Sequence, residues 1–127
     1  MAVNYKAVAK KNPLKQTDPA KYYANIVTTG NLTLRQLAKE ISTISTVSVA
    51  DTMAVLEDLL EVVPKQLANG NIVRLGEFGS FNIQVKSAGA DTAKDLSKDQ
   101  ITKTSVKFRP GKEFVQVIDN IEFIKTT

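Results

Sequence analysis

The stretch of sequence that decides the fold lies at residues 73–81 and reads VRLGEFGSF. Two glycines, Gly76 and Gly79, frame a short turn between runs rich in Val, Ile and Phe. A turn of this kind between two apolar runs is typical of a β-hairpin corner. The flanking runs predict strands over residues 72–75 and 81–85. The rings of Phe78 and Phe81 are predicted to lie in a core, because their surroundings are apolar.

Two capped amphipathic helices are predicted before this corner. Thr33 is followed three residues later by Gln36, the capping-box pattern that begins a helix. Ser48 begins the second helix as its N-cap. From Val49 to Leu67 apolar residues recur at steps of three and four, which buries one helix face against another helix. Gly70 supplies the left-handed stop.

The chain after the corner returns to strand and helix patterns. Residues 87–100 are polar and hold almost no large apolar side chain, so we expect them either to project from the domain or to be mobile. A strand is predicted over residues 101–108, and its alternation assigns to one face Lys103, Lys107 and Arg109. A final amphipathic helix is predicted to reach Ile121. The order of helices and strands predicts an α+β fold.

Composition narrows the classes of function. The chain of 127 residues is 43% hydrophobic and 24% charged and contains no histidine and no cysteine. Disulfides, thiolate chemistry and histidine-based nucleophile activation are therefore excluded. Neither the carboxylate spacing nor the glycine pattern fits a metal loop or a phosphate loop. We expect no enzyme, no cofactor, no metal site and no small-molecule substrate. Without a signal core or an apolar run near ~18 residues, we also expect no membrane segment and a cytoplasmic location.

Charge is distributed unevenly along the chain, whose net charge is +4. Residues 1–32 hold five lysines and one aspartate, residues 33–70 three basic and five acidic side chains, and residues 71–127 nine basic and seven acidic side chains. A basic chain with an acidic middle indicates an anionic partner at its ends, although ordinary solubilising charge gives a similar mixture. We divide the chain into a basic N-terminal extension, residues 1–30, with two short strand patterns, and a domain over residues 31–127.

The order of elements and the VRLGEFGSF corner resemble the HU and integration-host-factor family of bacterial nucleoid proteins. The segment Arg109-Pro110-Gly111-Lys112 resembles the family's segment at the start of the last helix, and the N-terminal extension is similar to that of long HU-like proteins of the Bacteroides type. The resemblance implies an intertwined homodimer. Its base is a helical hairpin, and a three-stranded antiparallel sheet extends a β-ribbon arm around double-stranded DNA. Half of an arm at about residues 86–103 would span roughly 30 Å if fully extended.

The arm departs from the family's pattern at its tip. The family carries an arginine-asparagine-proline motif there, whose proline wedges between base steps. Residues 86–107 contain neither proline nor arginine. Sequence-tolerant, architectural DNA binding is therefore expected to use phosphate contacts, and DNA bending is left open. The candidate contacts are Arg74, Lys86, Lys103, Lys107, Arg109 and Lys112.

Two other functions compete with this one. A helix-turn-helix reader would use the two helices after Thr33. However, the second helix carries Asp51, Glu57, Asp58 and Glu61 against a single Lys65, and these carboxylates would face phosphates. A diverged HU-like module for protein interaction or assembly is favoured by the arm that lacks proline and arginine.

Overall fold

The computed structural model describes residues 1–126, and its backbone contacts divide the chain into two units. The first unit combines Met1–Asn31 with the chain from Val117 onward, and the second unit is Leu32–Gln116. The elements of these residues are β1 (Ala2–Lys10), β2 (Lys21–Val27), α1 (Leu34–Thr43), α2 (Val49–Ala68), β3 (Val73–Arg74), β4 (Gly79–Ser87), β5 (Ile101–Pro110), α3 (Lys112–Asp119) and β6 (Glu122–Lys125). The helices and the two three-stranded sheets confirm the predicted α+β class.

The first unit contains a sheet in the order β2-β1-β6. β1 and β2 form an antiparallel hairpin, paired from Asn4↔Val27 to Lys10↔Lys21. β6 lies parallel to β1 along its other edge. Beyond β6, the Thr126 N–H donates a hydrogen bond to the Tyr5 carbonyl oxygen at 2.8 Å. The sequence predicts both strands of the hairpin but gives no sign of β6.

The second unit begins with the helical hairpin of α1 and α2. The Thr33 hydroxyl accepts a hydrogen bond from the Gln36 N–H at 3.2 Å, and the Gln36 side-chain oxygen accepts one from the Thr33 N–H at 2.8 Å. The predicted capping box is thus confirmed. The Ser48 hydroxyl caps α2 by accepting from the Asp51 N–H at 3.1 Å. Gly70 follows α2 with a φ of +89°, as the predicted left-handed stop requires.

The sheet of the second unit has the antiparallel order β3-β4-β5. β3 contributes only two pairs, opposite Ser80 and Phe81 of β4. β4 and β5 remain paired as far as Ser87↔Ile101. From Asn82 outward the sheet is therefore a two-stranded ribbon, with six residues of β4 opposite seven of β5. The six residues of β4 extend roughly 20 Å at about 3.3 Å each.

The outer part of the predicted arm differs from an extended ribbon. Strand pairing shifts register at Lys86/Ser87 and ends with the pair Ser87↔Ile101. Residues 88–100 therefore form a loop. This loop contains a 3-10 turn at Lys98–Gln100. The Gln100 side chain accepts a hydrogen bond from the Ser97 N–H at 2.6 Å. Polar side chains here satisfy the backbone locally and compete with the strand ladder. The reach of roughly 30 Å expected for a fully extended half-arm therefore does not apply to this conformation.

Two glycines allow the VRLGEFGSF corner to approach the chain that follows β5. Gly79 has a φ of +143°, and a Cβ atom there would lie 2.5 Å from the Arg109 carbonyl oxygen. A Cβ atom on Gly111 would collide with the main-chain carbonyl of Glu77. Because backbone rather than flexible side chain occupies both spaces, only glycine fits at either position.

The apolar core of the single chain is small. Four rings cluster near the corner, with centroid distances from 4.8 to 5.9 Å, and belong to Phe78, Phe81, Phe108 and Phe114. The ring of Phe78 nevertheless remains 52% exposed. Among the described residues the buried apolar side chains are only Ala38 and Leu67. Phe78 and Phe81, which are predicted to lie in a core, join Phe108 and Phe114 in a cluster that one chain does not enclose.

Candidate nucleic-acid interface

Strand register aligns three polar side chains across the sheet of the second unit. Arg74 of β3 lies opposite Ser80 of β4, and Ser80 lies opposite Arg109 of β5. Directly paired residues of neighbouring antiparallel strands project from the same side of a sheet. The two arginines therefore share one face, with the small Ser80 between them.

The same face continues along the two-stranded ribbon. Lys107 lies opposite Asn82, and Lys103 lies opposite Lys86. We call this surface the basic face, and its charged members are Arg74, Lys86, Lys103, Lys107 and Arg109. All five are exposed. Within the described strands β3 to β5, no carboxylate projects from this face.

The opposite face of the ribbon is largely apolar. It carries Phe81, Ile83 and Val85 from β4, paired with Phe108, Val106 and Thr104 of β5. This separation gives the ribbon one side for packing and one side for a charged partner. A sheet with such alternation typically turns its apolar side toward a core and its polar side toward solvent.

A cleft of about 320 Å³ lies beside the first two arginines. Its lining comprises Arg74, Gly76, Glu77, Gly79, Ser80, Arg109, Pro110 and Gly111. Guanidinium groups bind oxyanions such as phosphate through two parallel hydrogen bonds. Three of the eight lining residues are glycines, which place no side chain in the cleft. Glu77 is the one carboxylate among these lining residues, and its negative charge would repel an anion bound in the cleft.

Lys112 has a different position from the other five predicted contacts. It is exposed and forms the first residue of α3, so no strand pairing assigns it to the basic face. The Val115 N–H donates to the Gly111 carbonyl oxygen at 3.0 Å, which marks the start of the helix. The positive end of the helix dipole and the lysine charge both favour an anion at this point, while Glu113 in the same turn weakens the effect.

Sequence reasoning overlooked the part of Ser80 in this site. It lies between the two arginines and lines their cleft. Ser80, Asn82 and Gln84 alternate along β4 and therefore project from the same face, and this pattern in the sequence could have identified Ser80.

An apolar groove occupies another part of the second unit. Its volume is about 730 Å³, and its lining from α1, α2 and the corner comprises Leu34, Leu37, Ile41, Leu56, Leu59, Leu60, Val63, Pro64, Leu75, Phe78 and Phe81. Several of these side chains are well exposed, and Leu60 is 60% exposed.

Residues 1–126 contain no group of three acidic, histidine or cysteine side chains able to hold a metal ion. None of their helices is long and apolar enough to cross a membrane.

The family to which this chain belongs is shown by a sequence model that matches almost the whole chain. The sequence model of the HU-HIG family, described as an HU domain fused to a wHTH, Ig or glycine-rich motif, matches residues 1–125. The chain belongs to the HU-HIG family. This match confirms the predicted relationship to HU-like proteins.

The HU-HIG chain also resembles a solved structure. A crystal structure from Bacteroides vulgatus ATCC 8482, described as that of a putative bacterial DNA binding protein, superimposes with a TM-score of 0.65 at 16% sequence identity. The likeness covers 99% of this chain and 50% of the other, so the HU-HIG chain spans about half of its length. At this identity the comparison concerns the fold alone. No curated protein matches the chain.

Proposed function

We propose that this HU-HIG chain binds double-stranded DNA through phosphate contacts of the basic face, largely without regard to base sequence. The observation that carries the proposal is the alignment of five cationic side chains on one sheet face without a carboxylate among them. Phosphate contacts supply affinity and position but carry no direct sequence information. The Bacteroides vulgatus protein, described as a putative DNA binding protein, supports the choice of partner. The proposed role is architectural, non-enzymatic and nucleoid-associated in the cytoplasm.

The dimensions of the basic face suit a duplex. From Lys103 to Arg109 the strand advances six residues, roughly 20 Å at about 3.3 Å per residue. Duplex DNA presents one charge per ~1.7 Å of axis, so a strip of this length passes roughly a dozen phosphates. Lys86, Arg74 and Lys112 would add contacts on either side.

Strong bending by an intercalated side chain is not part of the proposal. Residues 88–100 form a locally hydrogen-bonded loop, and residues 86–107 contain no proline to wedge between base steps. This loop carries Asp91, Asp95 and Asp99 beside Lys94 and Lys98. Its mixed charge favours a position beside the duplex rather than deep within a groove.

The second part of the proposal is a homodimer formed over the apolar groove. A domain of this size normally buries most of its apolar side chains. Here the exposed ring of Phe78 and the leucines of α1 and α2 line an open surface. A second copy of the same surface supplies matching apolar area, as a two-fold interface requires.

An alternative function is protein interaction or assembly by a diverged HU-like module. The open apolar groove and the mixed charge of the loop at residues 88–100 favour it. This alternative predicts a stable oligomer whose behaviour in solution does not change when DNA is added.

Salt titration of duplex binding separates the two functions. We expect the logarithm of the association constant to fall linearly with the logarithm of salt concentration, with a slope of about −10 or steeper for a dimer, because each of the six contacts in each chain contributes about −0.9. Two 30-base-pair duplexes of unrelated sequence should bind with affinities within about threefold of each other, because phosphates are read rather than bases. Absence of binding at 50 mM salt, or a flat salt response, contradicts the proposal and favours the alternative.

A further inference from the structure

The hairpin of the first unit brings lysines together on one face. Lys10 of β1 lies directly opposite Lys21 of β2, and Lys6 lies opposite Asn25. Alternation along β1 puts Lys6 and Lys10 on the same side of the sheet. All three lysines are exposed. These lysines, which are distant in the sequence, therefore form one cationic surface on a folded sheet.

The pairing of Lys10 with Lys21 is unfavourable by itself. Like charges directly opposite on neighbouring antiparallel strands repel each other and destabilise the hairpin. The Lys10 Nζ atom lies 5.8 Å from the centroid of the Tyr23 ring, which offers modest cation–π compensation. An anion held between the two ammonium groups would remove the repulsion.

A concave surface adjoins this pair. A cleft of about 550 Å³ is lined by Lys10, Lys11, Asn12, Pro13, Asp18, Pro19, Lys21 and Tyr23. Its loop has fixed turns, since the Lys15 N–H donates to the Asn12 carbonyl oxygen and the Asp18 N–H donates to the Lys15 carbonyl oxygen, both at 3.1 Å. Three lysines against one aspartate give the cleft a net positive charge.

We propose that this cleft, with Lys6 beside it, is a second binding surface for the phosphodiester backbone of nucleic acid. It extends the proposed function, because its residues belong to the unit that does not carry the basic face. Exposed apolar side chains lie on both faces of this sheet, Tyr22 and Phe123 on the opposite face and Tyr23 and Ile124 on the face of the lysines. A lipid surface is therefore tested beside the duplex.

The test compares two double variants of the full chain. Lys10→Gln/Lys21→Gln removes the cleft pair, whereas Lys39→Gln/Lys125→Gln removes the same charge from exposed positions on α1 and on the opposite sheet face. Each is titrated with a 30-base-pair duplex over a range of salt concentrations. We expect the cleft variant to bind about tenfold more weakly at 0.1 M salt, with a salt slope shallower by about two per bound chain. The control should stay within twofold of the parent.

Stability and lipid measurements complete the test. The melting temperature of the cleft variant should equal or exceed that of the parent, because the substitution removes a repulsive cross-strand pair. Equal loss of affinity in both variants, or no loss in either, overturns the inference while leaving DNA binding by the basic face intact. Loss of binding to phosphatidylserine vesicles with unchanged duplex affinity also overturns it. If the parent chain binds no duplex, the proposed function itself fails, which is a separate result.

Discussion

Replacement of Gly111 by alanine is expected to lower the free energy of unfolding by about 3 kcal/mol. The added methyl group would collide with the Glu77 main-chain carbonyl, which cannot turn aside as a side chain could. The Gly111 N–H also donates to the Phe78 carbonyl oxygen at 3.0 Å, and this bond would be strained by any separation. The corner would therefore move away from the start of α3, and the phenylalanine cluster would loosen.

Urea denaturation at one protein concentration measures this effect. Gly89→Ala is the matched control, because a Cβ atom at Gly89 meets nothing within 4 Å and its φ is not in the left-handed region. The control should change stability by less than about 0.5 kcal/mol. Equal midpoints for the two variants would mean that the backbone contact between the corner and Gly111 does not hold the fold together.

Leu60→Asp is expected to abolish the proposed dimer at micromolar concentration. Leu60 is 60% exposed in the single chain and lines the apolar groove. A carboxylate there would be buried without a partner, and two-fold symmetry would introduce it twice. We expect a loss of about 4 kcal/mol in association, which corresponds to about a thousandfold weaker dimer.

Sedimentation equilibrium compares the variants with the parent chain. The parent should have a mass near 28 kDa, twice the chain mass of 13.9 kDa. Leu96→Asp is the control, since Leu96 is 52% exposed in the loop outside the groove, and it should remain dimeric. If Leu60→Asp does not fold, the parent still tests the proposal, because the melting temperature of a dimer rises with protein concentration. A monomeric parent with a constant melting temperature contradicts the dimer.

Local signals in the sequence predict the ends of the helices well. The hydroxyls of Thr33 and Ser48 and the freedom of Gly70 act on backbone only a few residues away, so their effect is visible in a short window of sequence. The arm loop follows the same rule. The spacing of Ser97 and Gln100 is a capping-box pattern that the sequence already contained and that strand reasoning overlooked.

Features that depend on distant partners could not be predicted in this way. β6 is four residues long and exists as a strand through its parallel pairing with β1, more than a hundred residues earlier. The alignment of Arg74 with Arg109 depends on the register of three strands rather than on the alternation within one. The collision that reserves position 111 for glycine likewise arises from tertiary packing. Alternation along β5 predicts the charged side of that strand. The register of the three strands is what places Arg74 and Lys86 on the same face.

The most direct test of the central claim removes charge from the basic face. Lys103→Gln/Lys107→Gln/Arg109→Gln is compared with Lys15→Gln/Lys39→Gln/Lys125→Gln, which lowers the net charge equally at exposed positions outside that face. Duplex affinity is measured at 0.1 M salt, and sedimentation checks that the oligomeric state is unchanged. We expect binding to be at least about fiftyfold weaker for the first variant, with a salt slope shallower by about three per chain, and less than threefold weaker for the second. Equal losses in the two variants would contradict the claim that DNA binds to this face.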